Sequence, residues 1–299
     1  MIYTVTFNPA VDLVADIDCV KWGSVNRLSG EQVFFGGKGI NVSVVLNKLG
    51  VQSKALGFCA GFTGDALEQS LCSSGIQTDF IHLKSGFTRI NVKLRAGTET
   101  ELNGAGPDID EASLGKLFAQ LDGLADGDSL VLAGSVPMSL PADIYEQIMA
   151  RLAERNIRFV VDAAGKLLLN VLKYRPFLVK PNIHELGDMF GVTVDSVNEA
   201  AEYAAKLRDM GAVNVLVSMG SVGALLLDEN GVQHRCGVCR GTVRNSVGAG
   251  DSMVAGFLAG CGSGDYEYAL KLGTAAGGAT AFSDGLARKE LIMSLLEQL

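Results

Sequence analysis

The middle of the chain alternates regularly between helical patterns and apolar runs. A helical pattern over 110–124 precedes an apolar run over 129–133, and a second pattern over 141–154 precedes a run over 158–162. A short helix and a further run over 177–180 continue the series. Strands that alternate with helices of about 10–15 residues are typical of parallel sheets. The alternation predicts an α/β fold with a central, mostly parallel sheet covered by helices on both faces.

The length and composition agree with one large domain. The chain has 299 residues, of which 48% are hydrophobic, and this is enough for a sizeable core. The formal net charge of −8 argues against a nucleic-acid partner, which requires a cationic surface. Runs of about 20 apolar residues, as needed to span a bilayer, are missing. We therefore expect a single domain over 1–299, with neither nucleic acid nor membrane as a partner.

The first residues of the chain and its cysteines bear on the cellular location of the protein. Residues 1–7 are β-rich and lack the cationic region and cleavage site of a secretory signal, so we interpret them as the first strand. Only Cys236 and Cys239, among six scattered cysteines, have the spacing of a metal site, and they lack a second pair. We therefore favour a structural role for the two cysteines, as residues of a strand pair, over a zinc site. The segment 232–243 is predicted to be strand. Free thiols without a signal fit a cytoplasmic protein.

A glycine-rich stretch, Ser-Val-Gly-Ala-Gly-Asp-Ser at 246–252, precedes an apolar helix over 253–261. Gly248 and Gly250 let the backbone turn sharply and expose N–H groups at a helix start, where the dipole favours an anion. Amide donors beside a general base, here Asp251, are what phosphoryl transfer to an alcohol requires. The alternative is a plain turn in which Asp251 only stabilises the first helical turn.

A second glycine cluster, Gly-Gly-Lys-Gly at 36–39, ends a short strand over 31–35 and leads into a helical pattern that Gly50 closes. Lys38, lying among glycines at a helix start, marks a second candidate anion site. The cluster is not a Walker A loop, because neither Ser nor Thr follows Lys38. It is not a dinucleotide fingerprint either.

The run over 88–95 alternates with period two, which predicts a strand with one apolar and one polar face. The polar face carries Arg89, Asn91, Lys93 and Arg95. A half-exposed strand with a solvated basic face is the usual outcome of such a pattern. A strand face that covers an anionic ligand is the alternative.

Further candidates lie where predicted strands end, the edge at which open α/β sheets bind ligands. They are Asp12, Ser135, Asp162 and Lys180. Asn182 and Glu185 follow with the spacing of a capping box, and this structural role is favoured on local grounds.

Three of these segments together resemble the PfkB carbohydrate kinase family, whose fold is ribokinase-like. Residues 247–256 match the C-terminal signature, 36–42 match the N-terminal signature, and 180–185 match the family's N-x-x-E element. Ala133 departs from the family, which usually has Ser there. The resemblance implies an ATP-dependent sugar kinase in which a small β-sheet lid, built from about 12–35 and 87–103, is inserted in the kinase domain.

The resemblance also implies roles for single residues on the phosphoryl-donor side. Asp251 would be the general base, and the amides of Ala249 to Asp251, with Gly248 and Gly250, would stabilise the transferred phosphoryl group. Glu185 would hold Mg²⁺, largely through water. The implied ATP contacts are Lys180, Asn182, Ser218, Gly220, Gly223, Gly248 and Gly250.

On the sugar side, the implied contacts are Asp12, Gly37, Lys38, Asn41, Arg89, Asn91 and Ser135. Lys38 and Arg89, supported by Ser135, would neutralise a phosphate already on the substrate, while Asp12 and Asn41 would bind sugar hydroxyls. Lids of this family often pair between subunits, which covers their edges, so a homodimer is expected.

Segments 4–12, 88–94 and 99–107 look most like the bacterial members that convert fructose 1-phosphate and ATP to fructose 1,6-bisphosphate and ADP. Family members that phosphorylate tagatose 6-phosphate or fructose 6-phosphate are the alternatives. A non-catalytic sugar-phosphate sensor is the alternative from another class, and it should have lost Asp251 or its glycines, which are present. A dehydrogenase using NAD would need the missing fingerprint.

Overall fold

The computed structural model describes residues 1–262 and 264–299 in full and contains one large and one small β-sheet. The strands, in chain order, are β1 (Ile2–Thr6), β2 (Ala10–Asp16), β3 (Gly30–Gly36), β4 (Ser53–Ala60), β5 (Gln77–Leu83), β6 (Arg89–Ala96), β7 (Thr98–Leu102), β8 (Ser129–Ala133), β9 (Arg158–Asp162), β10 (Leu178–Val179), β11 (Asn214–Ser218), β12 (Ala224–Leu227) and β13 (Gln233–Cys236). The helices are α1 (Lys38–Leu49), α2 (Gly61–Ser73), α3 (Glu111–Asp122), α4 (Ile144–Arg151), α5 (Gly165–Leu169), α6 (Ile183–Phe190), α7 (Val197–Asp209), α8 (Ala249–Gly260), α9 (Tyr266–Ala281) and α10 (Lys289–Leu296).

The large sheet has nine strands in the order β13-β12-β11-β10-β9-β8-β1-β4-β5. The strands from β11 to β5 in this order are parallel, and only β12 runs in the opposite direction, pairing antiparallel with β11 and with β13. The predicted α/β fold is therefore confirmed. Because parallel strands end at one edge, the ends of β1, β8, β9 and β10 are brought side by side.

Helices cover both faces of the large sheet, and each face has its own hydrophobic core. Along β8, Leu130 and Leu132 pack with residues of α3, α4 and α7, whereas Val131 packs on the opposite face with residues of α1, α8 and α9. All five residues of β8 are buried. A strand buried on both faces is a continuous apolar run, which explains why 129–133 and 158–162 were predictable.

The small sheet, in the order β3-β2-β6-β7, joins the two segments that the resemblance assigns to a lid. Its central strand β2 pairs antiparallel with β3 and parallel with β6. The polar face of β6 is turned inward, since Asn91 and Lys93 are only 6% and 8% exposed. The outer face is apolar and open, with Val33 and Leu102 each 55% exposed. Of the two interpretations of this strand, the solvated basic face is not the one observed, because this sheet lies with its polar side towards the large domain.

The strand predicted over 232–243 is wrong beyond Cys236. The backbone amides of Arg244 and Asn245 donate instead to the carbonyl of Ala281, at the end of α9. This contact ties the chain just beyond the predicted range to a helix, and no local pattern encodes it.

Among the described residues, none of the helices has both the length and the apolar character to cross a membrane.

Candidate active site

Helix α8 begins at Ala249, directly after Gly248, whose φ of 78° is left-handed. A side chain at position 248 would be strained and would also lie 2.8 Å from Leu286. The turn leaves the first amides of α8 pointing out of the N-terminal end of the helix. The amide of Ala249 donates to the Ser246 carbonyl at 3.2 Å. The amides of Gly250 and Asp251 follow it in the first turn, where a helix offers no internal acceptor, so they are better placed for an anion.

Asp251 is almost completely buried in the first turn of α8, with 4% of its surface exposed. Burial raises the pKa of Asp251 to about 6, and the charge of Asp162 adds to the rise. Asn41, Lys38 and Lys180 act in the opposite direction. A carboxyl with a raised pKa is a stronger proton acceptor, yet it is still ionised at neutral pH. These are the properties of a general base.

Two lysines and a second buried carboxylate surround Asp251. Asp162, at the end of β9, is 1% exposed and lies 3.5 Å from Nζ of Lys38 and 3.3 Å from Nζ of Lys180. Both oxygens of Asp162 lack a hydrogen bond within the described part of the chain. Burial lowers the pKa of Lys38, but Asp162, Asp251 and Glu185 together hold it above its usual value. Lys38 therefore presents positive charge where phosphates would lie.

Gly250 gives Lys180 room to approach the start of α8. A Cβ at position 250 would lie 3.2 Å from Nζ of Lys180, closer than side chains normally pack. The lack of a side chain therefore keeps the ammonium beside the exposed amides. The glycine pattern predicted an anion site here, and the geometry adds a cation to it.

A cavity of about 490 Å³ lies at the carboxyl edge of the large sheet. Its walls include four residues implied as sugar contacts, which are Gly37, Lys38, Arg89 and Ser135. Nε of Arg89 is buried there without an acceptor. Burial lowers the pKa of Arg89, an effect that Asp12 opposes. A buried guanidinium nitrogen without a partner is costly, and a bound phosphate oxygen would satisfy it.

Asp12 and Asn91 lie next to Arg89, on the inward face of the small sheet. Asp12 falls within β2 rather than in a loop, and the register pairs it with Asn91. Nδ2 of Asn91 donates to Oδ1 of Asp12 at 2.8 Å. Asn41, on α1, donates to Asp251 at 2.7 Å instead. The implied sugar contacts thus come together from β2, β6, α1 and the segment after β8.

The residues implied for ATP lie where β10 and β11 end. Asn182 and Ser218 form a parallel bridge that joins the two strand ends. Gly220 begins a helical turn with a φ of 56°. A Cβ at Gly223 would lie 2.1 Å from the carbonyl oxygen of Cys236, so glycine is required for packing at that position. The position of these residues agrees with a nucleotide site, although packing alone accounts for Gly223.

Glu185 and Asn182 form a complete capping box at the start of α6. The Asn182 amide donates to Oε2 of Glu185, and the Glu185 amide donates to Oδ1 of Asn182, each at 2.8 Å. The structural interpretation of this pair is therefore confirmed. One carboxylate oxygen of Glu185 is used in this way, and Oε1 is available for other partners. The charge of Glu185 is also felt by Lys38, which places the carboxylate near the site.

The donors near the site fit a hard cation that keeps most of its water. Glu185 and Asp162 supply carboxylate oxygens, the ligand type that Mg²⁺ prefers. The residues that the structure describes hold no group of three or more His, Cys, Asp or Glu that could bind a metal. Phosphates and water must therefore supply most of the ligands of any Mg²⁺ here.

Asp162 is the residue whose importance the sequence did not reveal. It was recognisable only as a polar residue at a strand end. Its contacts with Lys38 and Lys180 come from two other elements, so no local pattern signals them.

A ribokinase-like fold with amides, lysines and a buried carboxylate at one sheet edge defines a phosphotransferase that acts on an alcohol. The chain belongs to the pfkB family of carbohydrate kinases, whose pattern matches residues 5–291. Kinases of this family take ATP as the phosphoryl donor.

The relatives include sugar-phosphate kinases. A 1-phosphofructokinase of Bacillus subtilis is 47% identical over 100% of this chain and 98% of the relative. A D-tagatose-1-phosphate kinase of Bacillus licheniformis is 37% identical over 96% of this chain and 94% of the relative. Among solved structures, phosphofructokinase-2 of Escherichia coli superposes with a TM-score of 0.93 at 26% identity, covering 100% of this chain and 99% of the other.

Proposed function

We propose that this enzyme transfers the terminal phosphoryl group of ATP to fructose 1-phosphate, giving fructose 1,6-bisphosphate and ADP. The observation that carries the proposal is the buried, unpartnered Nε of Arg89 in the 490 Å³ cavity that also contains Lys38 and Ser135. A phosphate already on the sugar fits this cationic pocket. The 47% identity to a 1-phosphofructokinase supports the choice of sugar.

In the proposed reaction, Asp251 accepts the proton of the sugar hydroxyl as its oxygen attacks the terminal phosphorus of ATP. The bond from that phosphorus to the bridging oxygen breaks, and ADP leaves. The amides of Gly250 and Asp251 donate to the oxygens of the moving group. An aligned donor of this kind contributes roughly 3 kcal/mol to transition-state stabilisation. Lys180, which approaches the same helix start, offsets the charge that develops.

Asp12 and Asn41 are assigned to the sugar. Asp12, with a side chain 19% exposed, accepts hydrogen bonds from sugar hydroxyls, and Asn91 fixes its orientation. Asn41 binds the sugar through the part of its amide that Asp251 does not use. Lys38, Arg89 and Ser135 hold the phosphate, with the Gly37 backbone close by.

On the nucleotide side, the ATP phosphates lie along the segment from Ser218 through Gly220 to Gly223. Lys180 and Asn182 flank them, and Gly248 and Gly250 shape the loop opposite. Glu185 would hold Mg²⁺ through water, and the bound cation would shield the phosphate charge. Oε1 of Glu185 supports this role, because only Oε2 is used in the helix cap.

The small sheet acts as a lid on the sugar and as a dimer surface. Its inward face carries Asp12, Asn91 and Arg89, so closing it over the sugar excludes water that would compete as acceptor. Its outer face exposes Val33 and Leu102 together with Ile90, an arrangement that a second copy of the chain would cover. We therefore propose a homodimer that pairs through the outer faces. The free thiols of all six cysteines support a cytoplasmic location.

A second candidate substrate is D-tagatose 1-phosphate, because a kinase of this sugar is 37% identical to the chain. It places the phosphate at the same end as fructose 1-phosphate and differs in the configuration of one hydroxyl. The cationic pocket accepts either compound, and the contacts of Asp12 decide between them. Tagatose 6-phosphate and fructose 6-phosphate, which carry the phosphate at the other end of the sugar, are the further alternatives.

A coupled assay of ADP release tests the proposal. The purified protein is given ATP and Mg²⁺ with fructose 1-phosphate, tagatose 1-phosphate, tagatose 6-phosphate or fructose 6-phosphate in turn. We expect the highest kcat/KM with fructose 1-phosphate. A higher value with any other sugar phosphate overturns the choice of substrate, and no turnover with any of them favours a sugar-phosphate sensor.

A further inference from the structure

The carboxylate of Asp12 is held from both sides by β6, the strand beside it. Asn91 donates to Oδ1 at 2.8 Å, and Nζ of Lys93 lies 3.7 Å from Oδ2. Asn91 is itself fixed, because its Oδ1 accepts the backbone amide of Gly104 at 3.1 Å. Each oxygen of Asp12 therefore has one partner in the sheet and a remaining acceptor position for a ligand.

Lys93 is enclosed in the inward face of the small sheet. Its side chain is 9% exposed, and its ammonium lies between Asp12 and Glu101, 3.6 Å from Oε1 of the latter. Glu101 stands directly opposite Lys93 in the register of β6 and β7. Neither Lys93 nor Asp12 is among the residues that line the 490 Å³ cavity, so the role of Lys93 follows from its contacts. An ammonium placed in this way is engaged with two carboxylates rather than with a substrate.

We infer that Lys93 is a positioning residue for sugar recognition, acting through Asp12. This inference rests on the proposed function, because it requires Asp12 to accept sugar hydroxyls. A carboxylate held only at Oδ1 can rotate about its Cβ–Cγ bond, and the attraction of Lys93 for Oδ2 opposes this rotation. Misplacing a binding group by about 1 Å can lower activity by up to about a hundredfold. The ion pair with Glu101 in turn ties Lys93 to β7.

The primary test is Lys93→Met, which keeps the length of the side chain and removes the charge. We expect KM for the sugar phosphate to rise roughly tenfold to a hundredfold, with KM for ATP unchanged and kcat altered much less. Lys93→Arg retains the charge and should recover part of the loss. A sugar KM within a factor of about two of the native value overturns the inference.

A double-mutant cycle shows whether Lys93 acts through Asp12. Lys93→Met is combined with Asp12→Asn, and sugar kcat/KM is measured for both single variants and the double variant. If Lys93 acts by orienting the carboxylate, Lys93→Met should have little further effect in the Asp12→Asn background. An equal effect in both backgrounds contradicts the inference.

Two variants separate positioning from a general role in the sheet. Glu101→Gln breaks the other ion pair of Lys93, so an equal rise in sugar KM would mean that Lys93 serves only to join β6 to β7. Arg95→Met removes a cation of the same strand that pairs with Glu99 at 3.5 Å, and it should leave sugar KM unchanged. If Lys93→Met fails to fold, Lys93→Gln replaces it, with a smaller expected effect that must also vanish beside Asp12→Asn.

The cycle is run with whichever sugar phosphate the native enzyme turns over best. A preference for a sugar other than fructose 1-phosphate therefore refutes the proposed substrate without affecting the test of Lys93. Normal activity on fructose 1-phosphate with an unaltered KM in Lys93→Met refutes the role of Lys93 alone.

Discussion

Asn41 donates a hydrogen bond to Oδ2 of Asp251 at 2.7 Å, although 210 residues separate the two in the chain. The bond joins the start of α1 to the start of α8, so the two glycine clusters recognised in the sequence meet in one site. It favours the ionised form of Asp251, whereas burial and the charge of Asp162 favour the protonated form. The carboxylate thereby gains proton affinity and is still ionised at neutral pH, as the proposed role of general base requires.

Replacing Asp251 tests the base directly. Asp251→Asn keeps the shape of the side chain but cannot accept the proton, so we expect kcat to fall by about 10²–10⁴. Binding of the sugar phosphate, measured by calorimetry, should change little. Near-normal turnover of the purified variant would remove Asp251 from the mechanism.

The pH dependence of the rate should report the same group. Because the pKa of Asp251 is raised to about 6, the carboxylate is ionised above this pH and becomes protonated below it. We expect kcat/KM for the sugar to fall about tenfold per pH unit below pH 6. The phosphate of the substrate also titrates near pH 6, so the profile is divided by that of Asp251→Asn. A flat ratio between pH 8 and pH 5 would contradict the assignment.

Glu185→Gln separates metal binding from helix capping. Glutamine also completes a capping box, so the thermal stability of the variant should stay close to that of the native enzyme. We expect its activity to require a much higher Mg²⁺ concentration. The matched control is Glu199→Gln, since Ser196 and Glu199 form a second capping box at the start of α7. Equal Mg²⁺ dependence in both variants would leave Glu185 with only its structural role.

Arg89→Ala tests the phosphate pocket. The guanidinium can bind two phosphate oxygens at once, so its loss should raise KM for fructose 1-phosphate strongly and leave KM for ATP nearly unchanged. Unphosphorylated fructose should be a poor substrate of the native enzyme, and the substitution should affect it much less. Arg95→Ala, on the same face of the same strand, is the control. A similar loss with fructose and with its phosphate would argue against the pocket.

Val33→Asp tests the proposed dimer. A charge on the apolar outer face should weaken pairing, and sedimentation should detect a shift towards monomer. Val232→Asp is the control, because Val232 is 50% exposed outside the small sheet, close to the 55% of Val33. A native protein that sediments as a monomer would refute the dimer outright.

The sequence predicted those parts of the fold in which local pattern and tertiary environment agree. The buried strands β8 and β9 are continuous apolar runs, and Gly50 ends α1 in a left-handed conformation, as expected of a helix-closing glycine. The composition of β6 left open whether its polar face meets solvent or a ligand, because the orientation depends on the surface that the small sheet covers. Period-two alternation identifies two faces and does not say which one is buried.

In the candidate site, too, local patterns predicted some residues, whereas others depend on contacts between distant segments. The motifs identified Asp251, Lys38 and Arg89, because each lies in a pattern that the resemblance makes specific. The ion pairs of Asp162 connect β9 with α1 and with the end of β10, and only the folded chain brings these together. The capping role of Glu185 was predictable from spacing alone.

In the proposed reaction, the two-sheet arrangement places part of the sugar recognition on a different sheet from the phosphoryl-transfer chemistry. Asp12, Asn91 and Lys93 belong to the small sheet, whereas Asp251 and the amides beside it belong to the large domain. Mutations in β2 and β6 can therefore retune which hydroxyl configuration is preferred while the phosphoryl-transfer apparatus stays intact. Substrate preference among ketose phosphates can therefore diverge through changes in the small sheet alone. For engineering new acceptors, exchanging strands of the small sheet between relatives is a better starting point than point mutations near α8.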